Sequence, residues 1–315
     1  MSSTSSNGSP TDPTVYILLI NYQHVSETLN CLDSLKNLHY QNRQIIVIDN
    51  ASGDDSLEIL KQRLAKHPSE FHLIESLTNS GFSGGNNQGI QFSIEHHADY
   101  VWLLNNDTTV DPAALTHLVN QAETTGGLVG SKLHYPDHTY QQVGTRVNWL
   151  TGQTRGYPEA SLADAMSIEC LTGASLLIPI PVVATIGLMA EEYFLYFEDA
   201  EYTQRARRNG FSATLAIQSI VYHKEGASSG RKSSLTQYYF YRNRLKFLFT
   251  EASFFEKCCI AVYTGFRLFR SQLKAALSTT PEKKVAAHIH WLAIWDFLKG
   301  TDGPCPHSLP TPLKA

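Results

Sequence analysis

The sequence predicts an α/β protein, with a mostly parallel sheet flanked by helices and a helical extension towards the C-terminal end. Three observations carry this. Short apolar runs alternate with amphipathic segments over the first hundred or so residues, the pattern of strands joined by crossover helices. Polar or glycine-rich residues follow several of the runs, at the strand ends where open α/β sheets bind ligands. From about residue 236 onward, helical periodicity replaces the alternation.

Residues 1–14 form a Ser/Thr/Pro-rich leader without the apolar run of a signal peptide. VYILLIN (15–21) is the first expected strand, and Val25, Leu29, Leu32 and Leu35 then fall at helical spacing, with Ser26 as cap. QIIVIDN (44–50) is the second strand, followed by a polar turn over 51–55 and a helix near 55–66. FHLIES (71–76) is the third. TNSGFSGGNNQGI reads as a Gly/Asn-rich loop opening a helix around 85–97, and YVWLLN as a fourth strand running into Asn105, Asn106 and Asp107. GLVGSKL (127–133) continues the sheet, whereas 134–165 is turn-rich and assigns no clear element. IECLTGASLLIPI (168–180) reads as one strand in which Gly173 permits close backbone approach. An aromatic turn then leads into a basic helix stopped by Gly210, and 212–223 is a strand ending at His223. The expected organisation is an α/β domain over 15–235, a helical region over 236–303 and a tail over 304–315.

Composition narrows the function. A chain of 315 residues that is 42% hydrophobic can bury a sizeable core. Its formal charge of -4 gives no reason to expect a nucleic-acid partner. Five scattered cysteines with no CxxC spacing argue against a disulfide framework and a structural zinc site, and for a reducing, cytoplasmic setting. No stretch reaches the ~18 apolar residues of a membrane span. Within the helical region, Phe255, Cys259, Val262, Phe266, Phe269, Leu273 and Ala276 form one apolar stripe beside Arg267, Arg270 and Lys274. The stripe either packs on the α/β domain or lays residues 254–276 on an anionic membrane surface.

Several residues have the chemistry of a site. Asp49, ending the second strand, can accept hydrogen bonds from a ribose hydroxyl or base N–H, or can merely start a turn. Gly81, Gly84, Gly85 and Gly89 allow backbone to approach a ligand, with Asn86 and Asn87 adding donors near a helix start. The absence of GxGxxG and of GKS or GKT counts against dinucleotide and P-loop binding. Asp107 at a strand tip suits a divalent cation bridging a diphosphate, or else caps a helix, a role Asp111 before Pro112 fills better. Glu198 and Asp199, among Tyr193, Phe194, Tyr196 and Phe197, form a pair whose burial and repulsion suit one acid to proton abstraction. The bland reading is a solvated pair starting a helix. His223 is a candidate metal ligand or a structural histidine.

Taken in order, these segments resemble family 2 glycosyltransferases of the GT-A (Rossmann-like) fold, especially the bacterial rhamnosyl- and galactofuranosyl-transferase-like branch. LLINYQHVSETLNCLDSL, IIVIDNASGDDS, NSGFSGGNNQGI, WLLNNDTTVDPAAL, LTGASLLIP with EEYFLYFEDAEYTQRARRNGF, and VYHKEGASSG are similar to its successive motifs. YYFYRNRLKFL and HWLAIWDFLKGTDG resemble its C-terminal portion, so the likeness spans roughly residues 15–303. The resemblance implies an inverting glycosyltransferase using Mg²⁺ or Mn²⁺. A dTDP- or UDP-sugar would be the donor, rhamnose or a UDP-linked sugar the transferred group, and a growing or lipid-linked cell-envelope glycan the acceptor. It implies that Asn21, Asp49, Asn79, Gly81, Asn86, Asn105 and Asn106 shape the donor site. Asp107 and His223 would serve the metal, Asp199 would be the general base, and Glu198 and Gly173 would face the acceptor. Arg242 and Asn243 match a family segment without an assigned role.

Three departures stand out. Asn105 replaces the first acid of the family's Asp-x-Asp, Ala190 stands where an aspartate is usual, and Glu201 follows the acidic pair in place of an aspartate. The rivals are a catalytically weak or inactive glycosyltransferase-like binding module and a sugar nucleotidyltransferase. The latter calls for a basic, glycine-rich loop after the first strand, where NYQHVSETL has none.

Overall fold

The computed structural model describes residues 12–66, 69–224 and 233–310. Most of the leader, the end of the tail and residues 225–230 of the histidine segment lie outside the described residues. The first half alternates β1 (Val15–Asn21), α1 (Val25–Leu35), β2 (Arg43–Asp49), α2 (Ser56–Leu64), β3 (Phe71–Glu75), α3 (Gly81–Glu95) and β4 (Tyr100–Leu104). Next come β5 (Thr108–Val110), α4 (Ala114–Thr125), β6 (Leu128–His134), β7 (Tyr140–Gln142), β8 (Gly144–Asn148) and β9 (Gln153–Gly156). Then follow β10 (Cys170–Leu171), β11 (Ser175–Pro179), α5 (Ile180–Ile186), α6 (Glu198–Arg208) and β12 (Ala213–His223). The extension is α7 (Ser234–Glu251), α8 (Phe254–Ala276) and α9 (Pro281–Lys299).

The main sheet runs β3-β2-β1-β4-β11-β6-β12-β5, with β7 beside β6. Its first four strands are parallel neighbours; β11 is antiparallel to both β4 and β6. Both faces are apolar, as a sheet covered on both sides requires. Val15, Ile17 and Leu19 of β1 join one core with α1, α2 and α4, while Tyr16 and Leu18 join the other with α3, α5 and α6. β8, β9 and β10 make a small second sheet from much of the turn-rich segment. The α/β architecture and helical extension therefore match expectation.

Three local expectations are corrected. Ser26 does not cap α1: His24 precedes the helix at φ 51 with no side-chain cap, and Ser26 lies in its first turn. Residues 168–180 are not one strand: Cys170–Leu171 pair with β8, and Ser175–Pro179 cross to the main sheet. Gly173 sits at the switch. The Gly/Asn segment is not a loop but the first turns of α3, which begins at Gly81. Its glycines at 85 and 89 share a helical face. A Cβ there would stand 2.9 Å from Ile20 Cδ1 and 3.0 Å from Leu18 Cδ1, so α3 packs tightly on β1 and a larger residue would require those side chains to shift.

Strand register positions the polar tips. Asn21 pairs with Asp49 across β1 and β2, His223 pairs with Thr108 across β12 and β5, and Asn105 N–H donates to Ala174 O at 3.0 Å. Residues far apart in sequence thus gather at one end of the sheet.

Candidate active site

A cavity of about 600 Å³ opens there. Tyr22, Asn50, Asn79, Gly81 and Asn86 line one part, residues 105–107, Gly173 and His223 another, and residues 194–200 a third. Leu235, Thr236 and Phe240 of α7 complete it, so the helical extension contributes directly to the wall.

Asp107 and His223 meet as their motifs imply, with Nε2 of His223 3.2 Å from Oδ1 of Asp107. The Gln141 amide donates to His223 O at 3.4 Å, leaving its Oε1 to accept from Nδ1 at 3.0 Å. Gln141 thereby orients the ring through Nδ1, while Nε2 faces the Asp107 carboxylate and lies 3.2 Å from Asn105 Nδ2. A metal-binding imidazole is oriented in this way by its second nitrogen. Among the described residues no group of three or more His, Cys, Asp or Glu side chains gathers to hold a metal ion. The pair therefore fits a cation whose remaining positions fall to phosphate and water, as is usual for Mg²⁺, and does not fit a closed protein site.

The acidic pair starts α6. Asp199 Oδ2 accepts from Gly173 N–H at 2.8 Å and Oδ1 from Ala200 N–H at 2.8 Å. Glu198 is buried, and its Oε2 has no hydrogen-bond partner among the described residues. Burial, followed by the neighbouring Asp199, pushes the Glu198 carboxyl well above the usual range. Burial also raises Asp199, but its backbone N–H bonds oppose the rise. The donors therefore assign the negative charge to Asp199 and leave the proton on Glu198. Glu198 is buried and Asp199 half-buried, so the pair is not a solvated helix start. Glu201 instead forms a bidentate ion pair with Arg205, at 3.0 and 2.8 Å.

The donor-side expectations divide. Asn79, Gly81, Asn86, Asn105 and Asn106 line the cavity. Asn21 and Asp49 do not: they are buried behind it, while Ile20, Tyr22 and Asn50 face the space. Asn21 Nδ2 donates to Asp49 Oδ1 at 2.8 Å and to Ser52 Oγ at 3.0 Å, and its Oδ1 accepts from Thr28 at 2.7 Å. Asn106 Nδ2 donates to the same Thr28 hydroxyl at 2.9 Å, so one hydrogen-bonded chain ties the tips of β1, β2 and β4 together. Sequence reading missed Asn50 and Gln141. Asn50 bonds Asn79 Oδ1 at 3.1 Å and Gly81 O at 3.0 Å, fixing the start of α3; its place beside Asp49 was the available signal. Gln141 lies in the segment where no periodicity is readable.

Comparison with known proteins agrees with this geometry. Over 239 residues the chain is 24% identical to the low-salt glycan biosynthesis hexosyltransferase Agl10 of Haloferax volcanii, covering 72% of this chain and 73% of the relative. Over 105 residues it is 27% identical to the poly-beta-1,6-N-acetyl-D-glucosamine synthase of Staphylococcus epidermidis, covering 33% and 24% respectively. The fold resembles that of the mannosyltransferase PcManGT from Pyrobaculum calidifontis, solved with GDP-Man and Mn²⁺, at a TM-score of 0.59 and 12% identity over 92% of this chain and 88% of that one. It also resembles S. aureus TarS 1–349 in complex with UDP-GlcNAc, at a TM-score of 0.57 and 16% identity over 91% and 81%. These structural likenesses establish the GT-A fold. Residues 16–176 match the family described as Glycosyl transferase family 2, which is half of the sequence, and the chain belongs to that family.

Proposed function

We propose that the protein is an inverting, divalent-metal-dependent glycosyltransferase acting in glycan biosynthesis. It would move a sugar from a nucleoside-diphosphate donor, of the dTDP- or UDP-linked class, to a hydroxyl of a growing cell-envelope glycan. One observation carries this reading. Asp199, a half-buried carboxylate held by two backbone N–H donors, and the Asp107–His223 pair face the same cavity. The names of the hexosyltransferase and synthase relatives, and the nucleotide sugars and Mn²⁺ bound by structural neighbours, support the same class.

In this mechanism Asp199 takes the proton of the acceptor O–H. The oxygen attacks the anomeric carbon from the face opposite the leaving group. The C–O bond to the diphosphate breaks, and its electron pair departs with the nucleoside diphosphate. Asp107 and His223 would hold a Mg²⁺ or Mn²⁺, which supplies neutralisation of the diphosphate charge. Asn79, Gly81 and Asn86 shape the donor end, whereas Asn21 and Asp49 hold that end in place from behind. Glu198 stays protonated and is free to donate towards an acceptor oxygen.

Among the described residues no helix is long and apolar enough to cross a membrane. We propose instead that α8 lies on an anionic lipid surface. Phe255, Val262, Phe266, Phe269 and Leu273 of its stripe are exposed rather than packed on the α/β domain, and Arg270 and Lys274 flank them. That placement would bring the cavity near a lipid-linked acceptor.

Calorimetric titration with UDP, dTDP and GDP, each with and without Mn²⁺, tests the donor half. Metal-dependent binding of one nucleotide is expected, with the dependence lost in D107A. Silence towards all three overturns the transferase reading in favour of a non-catalytic module.

A further inference from the structure

The stretch between the short helix Glu191–Tyr193 and α6 is bent in a way side chains resist. Phe194, Tyr196 and Phe197 all hold positive φ, at 64, 69 and 72°, and none is glycine. Such backbone persists only where its surroundings over-determine it. Here the determinant comes from α7. Asn243 is wholly buried, and its Nδ2 stands 2.7 Å from Tyr193 O, 2.7 Å from Leu195 O and 3.1 Å from Tyr196 O. Its Oδ1 accepts from Arg242 Nε at 2.9 Å, which turns the NH₂ towards the three carbonyls. Arg242 is itself fixed, lying 5.3 and 5.1 Å from the Tyr238 and Tyr239 rings and donating to Gly303 O at 2.8 Å. The remaining carbonyl, Phe194 O, accepts from Phe82 N–H at 2.7 Å. Every carbonyl from 193 to 196 is thereby held, and Phe197 alone separates this run from Glu198 and Asp199.

We infer that Asn243 is a positioning residue for transfer: its amide locks the 193–197 turn and so sets where Asp199 presents its carboxylate. The helical extension is then part of the catalytic apparatus. The inference rests on Asp199 as the base, but the lock itself can be read without substrate.

The test compares wild type with N243A in the full chain. Hydrogen exchange at amides 195–199 should accelerate by about tenfold or more in N243A, with strand β2 unchanged. Nucleotide affinity should stay within about threefold, while transfer kcat falls by about 10²-fold, the scale of a misplaced reacting group. The acidic limb of the pH–rate profile should move as well, which loss of stability alone would not cause. N243S, which keeps one donor, should show the same pattern at smaller amplitude and serves if N243A does not fold. Unchanged exchange at 195–199, or kcat within about twofold of wild type, overturns the inference. A wild-type protein that transfers no sugar would sink the proposed function, and exchange in N243A would still decide the lock.

Discussion

Gly173 N–H reaches the carboxylate of Asp199 at 2.8 Å, although the two residues lie on different elements and 26 positions apart. Gly173 marks the point where the chain leaves the small sheet for the large one. The change of sheets thus delivers a hydrogen-bond donor to the acid proposed as the base.

Activity should therefore depend on pH through Asp199. Burial raises its pKa above the usual aspartate value, and it accepts a proton only when ionised. Transfer should fall as pH drops through that raised pKa, placing the acidic limb of kcat/KM above the ordinary carboxyl range. D199N should lose transfer by about 10³-fold or more while still binding nucleotide. A rate that stays flat down to pH 4 or so would move the base elsewhere.

Stability should report Glu198. A carboxyl whose folded pKa is raised contributes stability fully below its unfolded value of 4.5 and loses it as pH rises through the folded pKa. E198Q cannot ionise. It should match wild type in acid and exceed it at alkaline pH, where the wild-type carboxyl carries the cost of its raised pKa and the amide does not. Urea denaturation at both extremes measures the gap.

Two glycines offer an internal comparison. Gly81 has φ +71°, and a Cβ there would lie 2.2 Å from Phe194 O; Gly126 has φ +65° with nothing within 4 Å. G126A should cost only left-handed strain, about 1–2 kcal/mol. G81A should cost more and also slow transfer, because the collision is with the locked turn. Equal thermal midpoints for the two variants would contradict this.

Membrane contact should be salt-sensitive and aromatic. The full chain should cosediment with vesicles rich in phosphatidylglycerol and much less with phosphatidylcholine alone. Sedimentation should weaken as salt rises. The pair F266E and F269E should abolish sedimentation without changing nucleotide affinity.

The sheet was legible because buried parallel strands are written as apolar runs, and the tips carrying Asp107 and His223 could be found from the runs they border. Less legible was anything that depends on a face rather than a run. The glycines of α3 suggested a loop by composition, yet their spacing of three and four was a helical signature. Asp49 was correctly placed at a strand end, but nothing local shows that Asn21 and Ser52 turn it inward. The strand break at residues 172–174 depends on two different partners for one apolar segment. Asn243 stood out only as part of a family-like segment with no role, since its role exists only where a distant turn exposes three carbonyls.

The cavity is assembled from residues on both sides of position 176. The family match ends at residue 176, before the acidic pair, His223 and α7. Grafting the stretch beyond that boundary between relatives should carry acceptor preference with it, while donor preference stays behind. Under the proposed function, acceptor choice would then change by exchange beyond residue 176 with the donor end left as it is.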